Sequence, residues 1–160
     1  MLFRMQYDSP VGCLTLAGDA NYLKGLWIEG QKYFGEGAGE SCIIAEQDPV
    51  LASARDWLDR YFAGARPSPG ELPLSPQGSA FRQRVWEALC EIPYGTTVSY
   101  GELARKLGTA PRAVGGAVGH NPISIIIPCH RVLGAGGSLT GYAGGVAAKR
   151  ILLLHEGIRF

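Results

Sequence analysis

A cysteine, an arginine, two histidines and a glutamate in the second half of the chain could carry out covalent chemistry. They are Cys129, His130, Arg131, His155 and Glu156. The thiolate is the nucleophile, so a reactive cysteine needs a base or a neighbour that stabilises negative charge. A carboxylate can orient and charge an imidazole that takes the thiol proton. We therefore predict a relay of Cys129, His130 and Glu156, with a thiol pKa below its ordinary value of about 8.5.

Plainer interpretations of these residues stay open. A lone cysteine beside an apolar run is usually a small buried side chain, and His155-Glu156 would serve equally well as the solvated end of a helix. The closeness of His130 and Arg131 to Cys129 favours the reactive interpretation.

The element that must position Cys129 is the apolar run 123–127. This run is mostly β-branched and predicts a buried strand, which Pro128 would end. Adjacent residues on an extended segment point in opposite directions, so a direct contact between Cys129 and His130 is difficult. A bridging water molecule would solve that geometry.

Two short helices before this run form a candidate helix-turn-helix. Ser99 and Glu102 have the spacing of a capping box, Gly108 would end the first helix, and Thr109 can cap the second, over 112–118. Plain packing of two helices is the competing interpretation.

The second of these helices is almost bare of side chains. Apart from Arg112 it consists largely of alanine, glycine and valine. A protein that reads sequence in the major groove needs arginine, asparagine or glutamine there. The composition favours binding of DNA without sequence preference, while close helix packing is the alternative.

Glycine-rich segments and a final helix complete the second half. The segments 133–138 and 141–145 predict loops that let backbone approach a ligand. The last helix is predicted over 146–155, ended by Gly157. Its buried positions are expected to be Ile151, Leu152 and Leu154, and its exposed ones Lys149 and Arg150.

The first half predicts a small structural unit. Short strands are expected over 2–7, 12–17, 22–29 and 42–45, and a helix from Asp48-Pro49 to Gly64. The predicted fold class is mixed α/β, a strand-rich N-terminal domain followed by a mostly helical C-terminal domain resembling a winged helix-turn-helix. The expected domains are 1–65, a proline-rich linker over 66–78, and 79–160.

Composition limits the class of protein. A chain of 160 residues with 46% hydrophobic and 18% charged residues suits a globular protein, and neither a secretion signal nor a membrane span is evident. We expect a cytoplasmic protein with reduced cysteines, no metal, no nucleotide cofactor and no membrane partner. Residues 1–79 carry a net charge of −4 and residues 80–160 one of +5. The basic half favours a polyanionic partner.

Several blocks in one order, from about 81 to 157, resemble the O6-alkylguanine-DNA alkyltransferases. The blocks are Phe81-Arg82-Gln83-Arg84-Val85-Trp86, Ile92-Pro93-Tyr94-Gly95-Thr96, Val98-Ser99-Tyr100-Gly101-Glu102-Leu103-Ala104, Arg112-Ala113-Val114-Gly115-Gly116-Ala117, Pro128-Cys129-His130-Arg131-Val132 and Leu153-Leu154-His155-Glu156-Gly157.

This resemblance implies a reaction and its catalytic residues. Cys129 would take the alkyl group from O6 of a flipped guanine, and from O4 of thymine, forming a thioether that is never released. A water molecule would join Cys129 to His130, and Glu156 would hold the imidazole. Tyr100 would donate a proton to the leaving base. No cofactor is implied, and one protein repairs one lesion.

The resemblance also implies how DNA is held. A monomer, which can cooperate with its neighbours, would bind double-stranded DNA through the minor groove without sequence specificity, and Arg112 would fill the gap left by the flipped base. Further DNA contacts would come from Ser99, Thr109, Ala113, Gly116 and Ala117. The base pocket would be formed by Val132, Tyr142, Ala143 and Gly144, with Asn121 as a structural hinge. Ala143 stands where some relatives have serine, which bears on substrate preference.

Two other functions compete with alkyl transfer. A thiol hydrolase could use the same Cys129, His130 and Glu156, but it would turn over and would not need a helix-turn-helix. A non-enzymatic DNA-binding regulator would need sequence preference, which the bare helix over 112–118 cannot easily provide.

Overall fold

The computed structural model describes residues 2–35, 42–45, 47–139 and 142–159, and the strands of its first half form one mixed sheet. In the order β3-β2-β1-β4, β1 and β3 pair antiparallel with β2, and β4 lies parallel to β1. The strands are β1 (Leu2–Ser9), β2 (Gly12–Gly18), β3 (Leu23–Ile28) and β4 (Cys42–Ile44). Met5 lies opposite Leu16, and both are buried, so one face of the hairpin belongs to the core.

Helix α1 (Pro49–Phe62) covers this sheet and begins as the sequence predicts. The Asp48 carboxylate accepts hydrogen bonds from the amides of Val50 and Leu51, and Pro49 occupies the first helical position. The chain leaves the helix through Gly64, whose φ of +97° lies in the left-handed region that glycine tolerates. The far end of α1 is thereby fixed, and its Tyr61 is fully buried.

The proline-rich segment 66–78 is ordered along β3. Leu23 N donates to Pro73 O at 2.7 Å and Ser75 N donates to Leu23 O at 2.8 Å, which adds a short parallel bridge to the sheet. Leu72 is buried. One buried core also continues from the first half into the second. The division into two domains stays a prediction, but the segment between them is packed chain.

The second half is mostly helical, so the predicted fold class is confirmed. Its helices are α2 (Ala80–Cys90), α3 (Tyr100–Leu107), α4 (Pro111–Gly119) and α5 (Val146–His155), and its two short parallel strands are β5 (Val98–Ser99) and β6 (Val132–Leu133). Ser79 caps α2 and Ser99 caps α3, each through a serine oxygen that accepts a backbone amide.

The turn between α3 and α4 differs from its prediction at one residue. Gly108 ends α3 in the left-handed region, as expected. Thr109 does not cap α4, because the N-cap is Ala110 and no side chain caps the helix. Pro111 at the first position has no amide hydrogen to satisfy, which reduces the need for a cap.

The run 123–127 is buried as predicted, but the prediction of a strand is wrong. Ile123 makes only an isolated bridge to Leu26, and Ile125 has a φ of +71°. The Asn121 side chain explains why a strand is unnecessary. Its Nδ2 donates to Ile127 O at 2.9 Å and its Oδ1 accepts from Ile123 N at 3.0 Å. The buried backbone is thus satisfied without a neighbouring strand.

Helix α5 has the predicted bounds but a different buried face. Leu153 is buried, whereas Ile151 and Leu154 are 39% and 48% exposed. Lys149, predicted to be exposed, has no exposed surface at all. Its ammonium group donates to Val132 O at 2.5 Å, which offsets part of the cost of burial. Arg150 is exposed, as predicted. Across the described part of the chain, no helix has the length and apolarity that crossing a membrane requires.

Candidate active site

Cys129 is the first residue of a short 3-10 helix, Cys129–Arg131. This helix follows the buried turn over 123–127 that the Asn121 side chain holds. The prediction that Cys129 and His130 lie on an extended segment is therefore wrong. Cys129 N donates to Ile127 O at 2.7 Å, which ties the nucleophile to the turn. The thiol residue is 3% exposed and His130 is fully buried. Both side chains are thus held in rigid, packed surroundings.

Glu156, just beyond α5, is the centre of the relay. His130 Nε2 lies 2.6 Å from its Oε2, and Arg131 binds both oxygens, with Nε 2.8 Å from Oε1 and Nη2 3.1 Å from Oε2. Gly95 N donates to Oε1 at 3.1 Å, and Tyr61 Oη donates to Oε2 at 2.6 Å. Burial raises the pKa of Glu156, but the hydrogen bonds from His130 and Arg131 outweigh it and hold the pKa well below its usual range.

His130 is arranged to act as a neutral base. Its Nε2 faces the Glu156 carboxylate, so we assign the ring proton to that nitrogen. The other nitrogen, Nδ1, is buried and has no hydrogen-bond partner in the described part of the chain. Burial lowers the pKa of His130, while Glu156 opposes that shift. The lone pair of Nδ1 is therefore available to accept a proton.

The thiol pKa contradicts the sequence-based expectation. Burial raises the pKa of Cys129, whereas Asn121, Lys149 and Tyr142 act in the opposite direction. The expectation of a lowered pKa came from basic neighbours in the sequence and ignored desolvation, which is the larger effect here. His155, one of those expected neighbours, lies outside the relay, with its Nε2 2.7 Å from Tyr61 O.

Lys149, predicted from the sequence to be exposed, lies among the side chains around Cys129. Its Nζ lies 5.9 Å from the ring centre of Tyr100 and 6.0 Å from that of Tyr142. Burial lowers the pKa of Lys149 to about 8, and the neighbouring Cys129 opposes the shift. Its position four residues before the buried Leu153 could have indicated the inward face of α5.

Two tyrosines flank the thiol. Burial raises the pKa of Tyr100, and the nearby Cys129 adds to that shift, so its phenol keeps its proton. The pKa of Tyr142 is raised by the same two causes. The Tyr142 hydroxyl is buried without a well-oriented hydrogen-bond partner among the described residues. Two protonated phenols therefore lie beside Cys129 as possible donors to a ligand.

A cleft of about 350 Å³ opens beside this cluster. Tyr142 and Ala143 line it on one side and the glycines of α4 on another. Lys32 and Tyr33, from the first half, complete it, although the sequence analysis gave that half a purely structural role. Tyr33 stacks on His120 with ring centres 3.8 Å apart. Their position follows only from tertiary packing, so no sequence pattern pointed to them.

The predicted DNA-contacting residues of α4 divide into two groups. Arg112, Ala113 and Gly116 are exposed on one face, as a contact surface requires. Ala117 is buried, and its carbonyl oxygen accepts from Trp86 Nε1 at 2.8 Å, so the DNA contact predicted there stays a prediction. Helical periodicity places residue 117 on the inner side, one turn after the buried Val114.

The other residues predicted to contact DNA or to form the base pocket lie at helix ends and in the loops around the site. The Ser99 hydroxyl caps α3, and Thr109 is partly exposed at the turn before α4. Val132 O holds Lys149. A Cβ at Gly144 would lie 2.7 Å from Ile28 Cδ1, so glycine permits the pocket loop to approach β3. Among the described residues, no group of three or more His, Cys, Asp and Glu side chains could hold a metal.

Two family models match the amino-acid sequence, and together they cover nearly the whole chain. Residues 80–158 match the model of the 6-O-methylguanine DNA methyltransferase DNA-binding domain, and residues 2–76 match the ribonuclease-like domain of the same methyltransferases. The chain belongs to the 6-O-methylguanine DNA methyltransferase family.

Relatives are similar along nearly the whole chain. A methylated-DNA–protein-cysteine methyltransferase of Mycobacterium bovis is 48% identical, over 98% of this chain and 93% of its own. One of Haemophilus influenzae is 44% identical, over 99% of this chain and 88% of its own. The crystal structure of Mycobacterium tuberculosis OGT in complex with DNA matches with a TM-score of 0.82 and 45% identity, over 96% of this chain and 92% of that one. The family is one of DNA-binding repair methyltransferases.

Proposed function

We propose that this protein repairs DNA by transferring the alkyl group of O6-alkylguanine to Sγ of Cys129, once per molecule. The observation that supports this proposal is a buried Cys129 followed in the chain by His130, whose Nε2 faces Glu156 and whose Nδ1 has no hydrogen-bond partner among the described residues. Such a site has a nucleophile, a base and an orienting carboxylate.

The proposed reaction balances protons and bonds within the site. The thiol proton passes through a bridging water molecule to His130 Nδ1, and Glu156 stabilises the resulting imidazolium. The thiolate then attacks the alkyl carbon, so a C–S bond forms and the C–O6 bond breaks. Tyr100 donates a hydrogen bond or a proton to the leaving guanine. A thioether offers water no good leaving group, so the product is stable and the proposed reaction consumes the protein.

The proposed DNA complex uses the exposed face of α4 in the minor groove. The small residues there let the helix approach the sugar-phosphate backbone, and the net charge of +5 over residues 80–160 attracts it. The alkylated base is flipped towards Tyr142 and Ala143, while Arg112 fills the gap it leaves.

We also propose that the protein acts as a monomer, cooperatively on DNA, in the cytoplasm, and accepts O4-alkylthymine as a second substrate.

The test is the intact mass of the protein after incubation with duplex DNA that contains O6-methylguanine. The expected result is one added methyl group per protein molecule, located on Cys129 by peptide mapping. Repeated turnover with an unmodified protein would contradict the proposal and favour a thiol hydrolase. If neither the protein nor the methylated DNA changes, the proposal is contradicted and the protein is a DNA-binding protein that performs no transfer.

A further inference from the structure

Tyr61 belongs to α1 in the first half of the chain, yet its hydroxyl ends inside the relay. Tyr61 Oη donates to Glu156 Oε2 across 2.6 Å, and the tyrosine is fully buried. The same oxygen receives His130 Nε2 at 2.6 Å and Arg131 Nη2 at 3.1 Å. Tyr61 and His130 therefore share one carboxylate oxygen.

The surroundings fix this tyrosine in direction and in protonation. Its ring stacks on Trp57, with centres 5.5 Å apart, and meets Tyr94 edge-on at 5.9 Å. Its carbonyl oxygen lies 2.7 Å from His155 Nε2, so both halves of the chain hold it. Burial raises the pKa of Tyr61, and the charge of Glu156 raises it further. The phenol thus keeps its proton at neutral pH and donates a hydrogen bond to Glu156.

Sharing an acceptor has a predictable consequence for the imidazole. Each donor to Glu156 Oε2 draws on the same negative charge, so each one weakens the attraction that the others feel. Tyr61 accordingly limits how strongly Glu156 favours charged His130. The titratable and charged groups around this pair come from every element packed against it. They are Tyr61 from α1, Tyr94 and the Gly95 amide from the turn before β5, Arg131 from the 3-10 helix, Tyr142 from the loop before α5, and Lys149 and His155 from α5.

We infer that Tyr61 is a positioning residue for alkyl transfer, because it holds Glu156 Oε2 in place and sets the proton affinity of His130. The N-terminal half then contributes a hydrogen bond to the chemistry. The effect on transfer rests on the proposed function of Cys129. The coupling between Tyr61 and His130 exists without any substrate, so it can be tested separately.

The first test measures the pKa of His130 by NMR titration of the histidine rings in the full-length protein and in Tyr61→Phe. Phenylalanine fits the same space and removes only the hydroxyl. The expected result is a rise of about half a pH unit or more for His130, with His120 as an unchanged internal reference. Tyr7→Phe is the matched control, because it removes a tyrosine hydroxyl that donates to a carboxylate away from the relay. Tyr7 Oη donates at 2.7 Å to Asp59, an exposed residue of α1. Equal His130 pKa values in all three proteins would overturn the inference.

The second test follows transfer to Cys129 from free O6-benzylguanine as a function of pH. In Tyr61→Phe the rising limb of the rate should move to higher pH by the same increment, because His130 stays charged longer, and the plateau should fall several-fold. A uniform loss with an unmoved limb would show a merely structural role and refute the inference. If the parent transfers no alkyl group, the proposed function fails, while the His130 titration still decides whether Tyr61 is coupled to His130.

Discussion

Burial of Cys129 determines how the proposed nucleophile reacts. The protonated thiol reacts slowly with oxidants and with soluble alkylating agents, since the thiolate is the reactive form. Burial favours that protonated form, and Lys149 opposes it. Burial therefore protects the thiol, and in the proposed reaction its proton leaves through His130. Reactivity is expected to depend on neighbours that the chain places around the sulfur atom.

Replacement of the Cys129 sulfur atom should abolish alkyl transfer and leave DNA binding intact. In Cys129→Ser the alkoxide is far less accessible than a thiolate, so transfer from methylated duplex DNA should fall to background, while DNA affinity stays within about twofold. Mass spectrometry and a binding titration measure the two quantities. Cys90→Ser, which removes a half-buried cysteine on α2, is the control and should transfer like the parent. Transfer by Cys129→Ser above background would assign the nucleophile elsewhere.

Loss of the buried cation should slow transfer in a pH-dependent way. Lys149→Met keeps the side-chain volume and removes a charge that stabilises the thiolate, so the pKa of Cys129 should rise by about one unit and the rate at neutral pH fall about tenfold. The difference should shrink above pH 8, where Lys149 itself loses its proton. Single-turnover reaction with O6-benzylguanine across pH measures this. The surface variant Lys106→Met should match the parent, and a pH-independent loss in Lys149→Met would exclude the charge effect.

At the scale of elements, the turn over 123–127 shows what sequence patterns can and cannot predict. Apolar β-branched residues correctly predict burial, but they cannot distinguish a strand from a buried turn. The deciding feature is Asn121, whose side chain replaces strand partners for the backbone. Cap and glycine patterns located α1, α3 and α5 well, because helix ends depend on local chemistry. The buried face of α5 depended on distant partners and was predicted wrongly.

The Asn121 clamp should contribute strongly to stability. Asn121→Leu leaves the buried Ile123 amide and Ile127 carbonyl without their side-chain partner, so the free energy of unfolding should fall by about 3 kcal/mol. Urea denaturation measures the loss. Asn21→Leu, in an exposed turn, is the matched control and should change stability by less than about 0.5 kcal/mol. A similar small change in both variants would show that the turn is held by apolar packing.

The exposed end of α4 should matter for duplex DNA and not for a free base. If Arg112 occupies the gap left by a flipped guanine, Arg112→Ala should slow repair of saturated duplex by one to two orders of magnitude, the equivalent of roughly the cost of flipping. Reaction with free O6-benzylguanine should hardly change. Arg55→Ala, on the exposed side of α1, serves as the control. Equal single-turnover rates on saturated duplex for Arg112→Ala and the parent would reduce Arg112 to a backbone contact, which lowers the salt slope by about one.

At the scale of the whole molecule, the site is assembled from both halves. The blocks between 81 and 157 made Cys129, His130 and Glu156 candidates for the site, and the structure places His130 and Glu156 in contact. Contacts from the first half could not be predicted, since Tyr33 and Tyr61 reach the site only through packing. The positive net charge of residues 80–160 indicated a polyanionic partner for the second half. The net charge of residues 1–79 gave no sign that Tyr33 and Tyr61 contribute to the site.

The linkage of the halves through Glu156 should appear as acid sensitivity. The pKa of Glu156 is lower in the folded protein than in the unfolded chain, so its contribution is complete above about pH 4.3 and is lost as the pH falls below it. His130 has a lowered pKa as well, so protonation of the unfolded chain reduces stability below about pH 6.5. Urea unfolding between pH 7 and pH 3 measures this. The conservative variant Glu156→Gln should be less stable at pH 7 and show a shallower pH dependence, and an unchanged slope would exclude Glu156 as its source.

The position of Glu156 also sets an order in time. Chains grow from the N-terminus at about 5 to 20 residues per second, so Tyr61 and the sheet are made first, then Cys129 and His130, and the carboxylate that joins them last. Until residue 156 has left the ribosome, the nascent protein carries a nucleophile whose imidazole lacks its anchor and whose tyrosine has no acceptor. If the protein reacts only once, as proposed above, this order would protect it from reacting before its synthesis is far enough advanced to complete the relay.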